Sequence, residues 1–187
     1  MTEERVDFPV AMEQRLGSIA EGWSRPDASA RVAYQIAAFQ GGAVTPPCLA
    51  TVGLLAGDWG GDEAAGPVHL ELIAPDTEDR NILAAFLFDV GDQVSRTGQA
   101  PSRGEVCRFT SPYDDWVGLY MTVPLFLEDA DRAFLIPGSG EVVLIWALPI
   151  RSSEAAFIEM NGWQLWEEIL EANFASLGSL RRAELVI

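Results

Sequence analysis

The chain has 187 residues, 49% of them apolar and 21% charged, and its 28 acidic against 12 basic side chains leave a formal net charge of −16. A chain of this length and apolar content buries a core without a disulfide framework, and it lacks the polar composition of a disordered segment. Every base is arginine, and a surface of this sign excludes nucleic acid and anionic membranes as partners, because both select clustered cations.

The first helix is expected over residues 9–20, with Val10, Met12, Leu16 and Ile19 on one face and Pro9 in its first turn. Arg25-Pro26-Asp27 reads as a turn. Residues 30–39 alternate through Val32, Tyr34, Ile36 and Phe39 as a half-buried strand. Gly41-Gly42 breaks it, and Pro46-Pro47 leads into a strand over 48–55. Residues 56–67 place Gly57, Gly60, Gly61 and Gly66 among acidic side chains and read as a loop. Residues 68–74 set Val68, Leu70 and Leu72 against His69 and Glu71, which predicts a strand with one wet face. Pro75-Asp76-Thr77 starts a helix, with Asp76 or Thr77 as its cap and Glu78 and Asp79 suited to the positive end of its dipole. Ile82, Leu83, Phe86, Leu87 and Val90 form its apolar stripe, and Gly91 with residues 97–104 closes this region.

A short strand follows at 106–109, a loop at 111–115, and a strand at 117–127 that Pro124 interrupts. Residues 137–140 form a turn. The apolar run 142–148 predicts a strand covered on both faces and ended by Pro149. Two helices come next. Ser152 or Ser153 caps the first, Glu154 supports its opening turn, and Asn161-Gly162 breaks it. The second carries Trp163, Trp166, Ile169, Leu170 and Phe174. From Ser179 onward the tail is expected to be loosely held. Strands follow strands too often for a βαβ array. The class is therefore α+β, a central mixed, largely antiparallel sheet flanked by helices, in one domain over residues 1–187.

No run reaches the roughly 20 apolar residues of a membrane helix. The first sixteen residues, with Glu3, Glu4, Asp7 and Glu13, hold no signal-like apolar core. The expected compartment is the cytoplasm, with Cys48 and Cys107 as reduced, buried thiols.

Catalytic motifs are scarce. His69 is the lone histidine, which removes His-cluster metal sites. No lysine is present for a phosphate loop, and no G-x-S-x-G elbow or G-x-G-x-x-G turn occurs. No cofactor, no metal and no enzymatic activity are expected. A hydrolase built from convergent carboxylates, or from His69 alone, is the alternative among enzymes.

Two acidic–aromatic groups remain. One is Asp58, Trp59, Asp62 and Glu63 in the glycine-rich loop; the other is Tyr113, Asp114, Asp115 and Trp116. Aromatic side chains flanked by carboxylates suit a protein interface, where Trp and Tyr act as anchors. In the other reading the rings cover the core at loop ends and the acids are solvated. Acidity favours encounter with a basic protein, and it also serves solubility.

Several segments together resemble the suppressor-of-fused-like domain. The first is Thr51-Val52-Gly53-Leu54 followed by Glu71-Leu72. The second is Leu119-Tyr120-Met121-Thr122-Val123-Pro124-Leu125. The third is Leu148-Pro149-Ile150 leading to Glu154, Gly162 and a final amphipathic helix. The resemblance covers roughly residues 30–174 and leaves the helix at 9–20 unmatched. It implies an α+β fold and a non-enzymatic, protein-binding role. In animals such a domain belongs to a protein that holds a transcription factor inactive. In bacteria such domains resemble immunity proteins that neutralise toxins. The expected partner is therefore a protein, a basic toxin or effector, with a structural homo-oligomer as a further alternative and the oligomeric state open.

Overall fold

The computed structural model describes residues 8–25, 32–42, 46–54, 69–110, 115–136 and 140–185. In chain order the elements are α1 (Phe8–Leu16), β1 (Ile19–Trp23), β2 (Gln35–Phe39), β3 (Cys48–Val52), β4 (His69–Pro75), α2 (Arg80–Thr97), β5 (Val106–Arg108) and β6 (Trp116–Thr122). They continue with β7 (Ala133–Ile136), β8 (Gly140–Arg151), α3 (Ser152–Asn161) and α4 (Trp163–Ala172). The eight strands form one sheet in the order β1-β2-β3-β4-β8-β6-β5, with β7 also paired to β8. Only β4 and β8 run parallel; every other pair is antiparallel. The class is α+β with a mixed, largely antiparallel sheet. Among the described residues no helix is long and apolar enough to cross a membrane.

The central strands alternate their side chains between two cores. Ile36 and Ala38 of β2 join Leu70 and Leu72 of β4 beneath α2, α3 and α4. Ala37 and Phe39 meet Ile73 and α1 residues Met12 and Leu16 on the opposite face. A strand covered on both faces has no wet side, so the solvated face expected at 68–74 is not formed: Glu71 is fully buried.

Other expectations are corrected in the same way. The first helix stops at Leu16 because Gly17 turns with φ 86°, where a Cβ would lie 2.1 Å from the Gly41 carbonyl oxygen. Residues 19–23 then pair with β2 as an edge strand. Asp79, not Asp76 or Thr77, caps α2, accepting the Ile82 N–H at 3.2 Å, and Gly98 ends it in the left-handed conformation. Gly91 lies inside α2, where the Tyr34 ring packs too closely for any Cβ. The strand at β6 ends at Thr122, before Pro124.

Pro149 does not end β8, which continues to Arg151. Its carbonyl accepts from Arg182 and so points away from β6. Its nitrogen points the same way, beyond the last β4–β8 pair at Ile73 and Trp146, so no ladder bond is lost there. Neither serine caps α3; Glu154 accepts the Arg151 N–H at 2.9 Å instead. The tail is also anchored, with Leu180 and Arg182 both buried.

Candidate functional site

Of the expected interface, Asp115 and Trp116 are among the described residues. Asp58, Trp59, Asp62, Glu63, Tyr113 and Asp114 lie outside the described residues. Asp115 is exposed at the start of β6 and accepts the Ser152 hydroxyl at 3.0 Å. Trp116 is 4% exposed. Its ring lies under two guanidinium groups, with Cζ of Arg151 at 4.4 Å and Cζ of Arg182 at 5.3 Å from the centroid.

Among the described residues an open, concave surface lies at the far edge of the sheet. Among the described residues strand β5 has β6 on one side only. In that pairing Phe109 donates to the Val117 carbonyl at 3.1 Å and Met121 donates to the Glu105 carbonyl at 2.9 Å. Antiparallel strands alternate the direction of their backbone groups. Cys107 therefore bonds inward, and the N–H and C=O of Val106 and Arg108 face away from the sheet. Helix α2 runs beside this edge. Two adjoining concavities of about 460 and 400 Å³ lie between them, and Gln93 lines both. Thr97, Ser102, Glu105 and Cys107 belong to the first; Asp92, Arg96, Arg108 and Phe109 belong to the second.

The walls of this groove are held by polar contacts. Arg25 reaches Asp89 at 3.3 Å and Asp92 at 3.2 Å. The Tyr34 hydroxyl bonds to Asp92 at 2.6 Å and to the Phe88 carbonyl at 3.0 Å. Burial, and then the bond to Asp92, push the Tyr34 phenol well above its ordinary value, so it remains a neutral donor. At the other end Arg103 takes both oxygens of Glu167, at 3.1 and 2.5 Å, and stands over the Trp163 ring. Thr122 donates to the same carboxylate at 2.6 Å, and the Tyr120 hydroxyl lies 3.2 Å from it. This clasp fixes the loop after α2 against α4.

Nothing in the groove resembles an activated nucleophile. Burial, with Glu105 beside it, pushes the Cys107 thiol up to about 12. Burial and the nearby Asp76 do the same for Cys48, also to about 12. Thiols held protonated do not attack or ligate. Among the described residues no group of three or more His, Cys, Asp and Glu side chains is placed to hold a metal.

Glu71, expected on a wet strand face, and Glu154, expected only to support a helix's opening turn, are instead buried. Glu71 and Glu154 are the fully buried carboxylates of the described chain. Glu71 accepts the Thr51 hydroxyl and the Gly53 amide, the latter at 2.9 Å, while Leu72 donates to Thr51 Oγ1 at 2.8 Å. Glu154 pairs with Arg182 through both its oxygens. The signal lay in Thr51, Gly53, Glu71, Pro149 and Glu154, the residues that carry the family resemblance.

No family model and no curated protein matches the sequence. Solved structures do match in fold. A SUFU (suppressor of fused protein) homolog from Neisseria gonorrhoeae aligns with a TM-score of 0.63 at 12% identity, covering 89% of this chain and 87% of that one. The Sufu–Fu complex gives 0.60 at 13% identity, covering 94% and 88%. Drosophila Suppressor of Fused gives 0.56 at 14% identity and 83% of this chain, which spans only 43% of that protein. The chain has the suppressor-of-fused-like fold.

Proposed function

We propose that this chain is a non-enzymatic protein-binding domain that receives an extended segment of its partner along β5, and that it acts as an immunity protein neutralising a basic toxin or effector. The observation that carries the reading is the open β5 edge beside α2, with outward backbone groups and a continuous groove. Such an edge adds a strand from another chain, with main-chain bonds for affinity and flanking pockets for specificity. The similarity to a structure of Sufu in complex with Fu supports protein binding as the class of activity.

Charge supports the sign of the partner. Among the described arginines only Arg96 and Arg151 lack a carboxylate partner, so the positive charge is largely spent internally and the acidic surplus remains.

The test separates backbone from side chain. The partner is recovered by crosslinking in the source cell and titrated calorimetrically against the purified chain. Arg108→Pro removes an outward N–H and should weaken binding about tenfold, the worth of one interfacial hydrogen bond. Arg108→Ala keeps that N–H and should change binding by less than about threefold. Equal effects of the two variants, or none, would place the partner elsewhere.

A further inference from the structure

The corner where α3 leaves β8 is built like a receptor for a guanidinium group. We infer that it is an arginine-binding site, filled in this state by the chain's own Arg182 and open to an arginine of a second chain when the tail moves. The second half of this inference rests on the reading of a basic protein partner; the first half does not.

The chemistry of the site is specific to a planar, forked cation. Glu154 offers one oxygen to each terminal nitrogen of Arg182, the Nη2 bond measuring 2.8 Å. The Pro149 carbonyl accepts a second bond from Nη2 at 3.0 Å. The Trp116 ring supplies an aromatic face, with the guanidinium carbon 5.3 Å from its centroid. The carboxylate is positioned before any arginine arrives, since its Oε2 also accepts the backbone N–H of Arg151 at the start of α3. A lysine ammonium carries its three donors on one nitrogen and offers neither the parallel pair of bonds to Glu154 nor a flat face to Trp116. The side chains are 2% and 0% exposed, so the pair sits out of water.

Besides this pair, the occupant's segment is held by apolar side chains packed on the core and by exposed contacts to Glu78, which accepts the Ser179 hydroxyl and the Arg181 N–H, each at 3.0 Å. Residues 177–185 have no helix or strand. Leu177 and Leu180 are buried, while Arg181, Ala183 and Glu184 face solvent. The bonds of Leu185 N–H to Glu154 at 3.1 Å and of Arg151 Nη2 to the Arg182 carbonyl at 3.2 Å exist only while the tail is seated. A buried ion pair is poor value for stability alone, because an apolar pair of similar size does as well or better. The buried Ser153 hydroxyl at this corner has no partner among the described residues, so one acceptor is left that the tail does not use.

Chemical rescue tests the receptor. In Arg182→Ala the thermal midpoint should fall, and millimolar ethylguanidinium should restore more of it than ethylammonium of equal concentration, with no effect of either on the parent chain. Equal action of the two cations would overturn the site. Should that variant not fold, hydrogen exchange on the unaltered chain decides. The Leu185 amide should exchange faster than the β8 amides, and a synthetic peptide of residues 178–185 in excess should speed it further. Exchange of Leu185 only with the whole sheet, unmoved by peptide, would overturn exchange of the tail. If the cations and the peptide act as expected and the native partner proves not to be basic, the receptor stands and the partner reading fails.

Discussion

Glu71 and Glu154 are equally buried, yet they are held in different ways. Glu71 sits where β3 parts from β4: the ladder ends at Ala50 and Ile73, and beyond it the Thr51 hydroxyl and the Glu71 carboxylate take over the bonding. Its described donors, a hydroxyl and an amide, are parts of the sheet's own strands and turn. Glu154 is tied to a cation carried by an irregular segment that comes after the last helix. The first arrangement repairs a gap in a sheet. The second fastens a segment beyond α4 to the end of β8 and the start of α3, and it does so with a charge that must be matched once water is gone.

The comparison predicts unequal penalties. Arg182→Ala leaves the Glu154 charge without its cation and should cost about 3–5 kcal/mol, read from urea unfolding. Replacing both partners, Glu154→Leu with Arg182→Met, should recover most of that loss, as apolar substitutes for a buried pair commonly do. If the double variant is as unstable as the single, the pair is a stability element and the contrast collapses.

Thr51→Val should cost less, about 1–3 kcal/mol, because it strands the Leu72 N–H and one bond to Glu71 without baring a new charge. A loss as large as that of Arg182→Ala would show that the two regions are energetically alike.

The smallest effect concerns the thiols, which report on the regions separately. Cys48 lies on the strand that carries Thr51 and is fully buried. At pH 8 a disulfide-exchange reagent should label it only on opening; Thr51→Val should speed that labelling through local opening of β3, and Arg182→Ala only as far as it raises global unfolding. Both thiols are raised from 9.0 to about 12 in the folded chain. The unfolded chain therefore loses these protons first, and stability is unaffected below pH 9 but falls as pH climbs from about 9 to about 12. That slope should be the same in the parent and both variants.

Much of the fold was legible because its signals are local. Ile36 and Phe39 mark β2, the run of Val142, Val143, Leu144, Ile145 and Trp146 marks β8, and the stripe from Leu83 to Val90 marks α2. The two missed strands have weak signals: β1 is mostly exposed, with Gly22 inside it, and β7 is four residues long. Glu71 was placed on a wet face because alternation of polar and apolar residues ordinarily means half-burial; nothing local announces a carboxylate buried to mend a strand gap. Of the expected interface only Asp115 and Trp116 can be located, and the tryptophan lies inward beneath Arg151 and Arg182.

The sequence by itself determined the class of the molecule. Its periodicities set the strands and helices, its single histidine and lack of lysine removed whole families of chemistry, and its acidity set the sign of its surface. Tertiary structure alone decided which groups leave water. Whether Glu154 meets Arg182, whether Trp116 is covered, and whether β5 is left open depend on how distant segments pack, and desolvation is a property of that packing rather than of any residue.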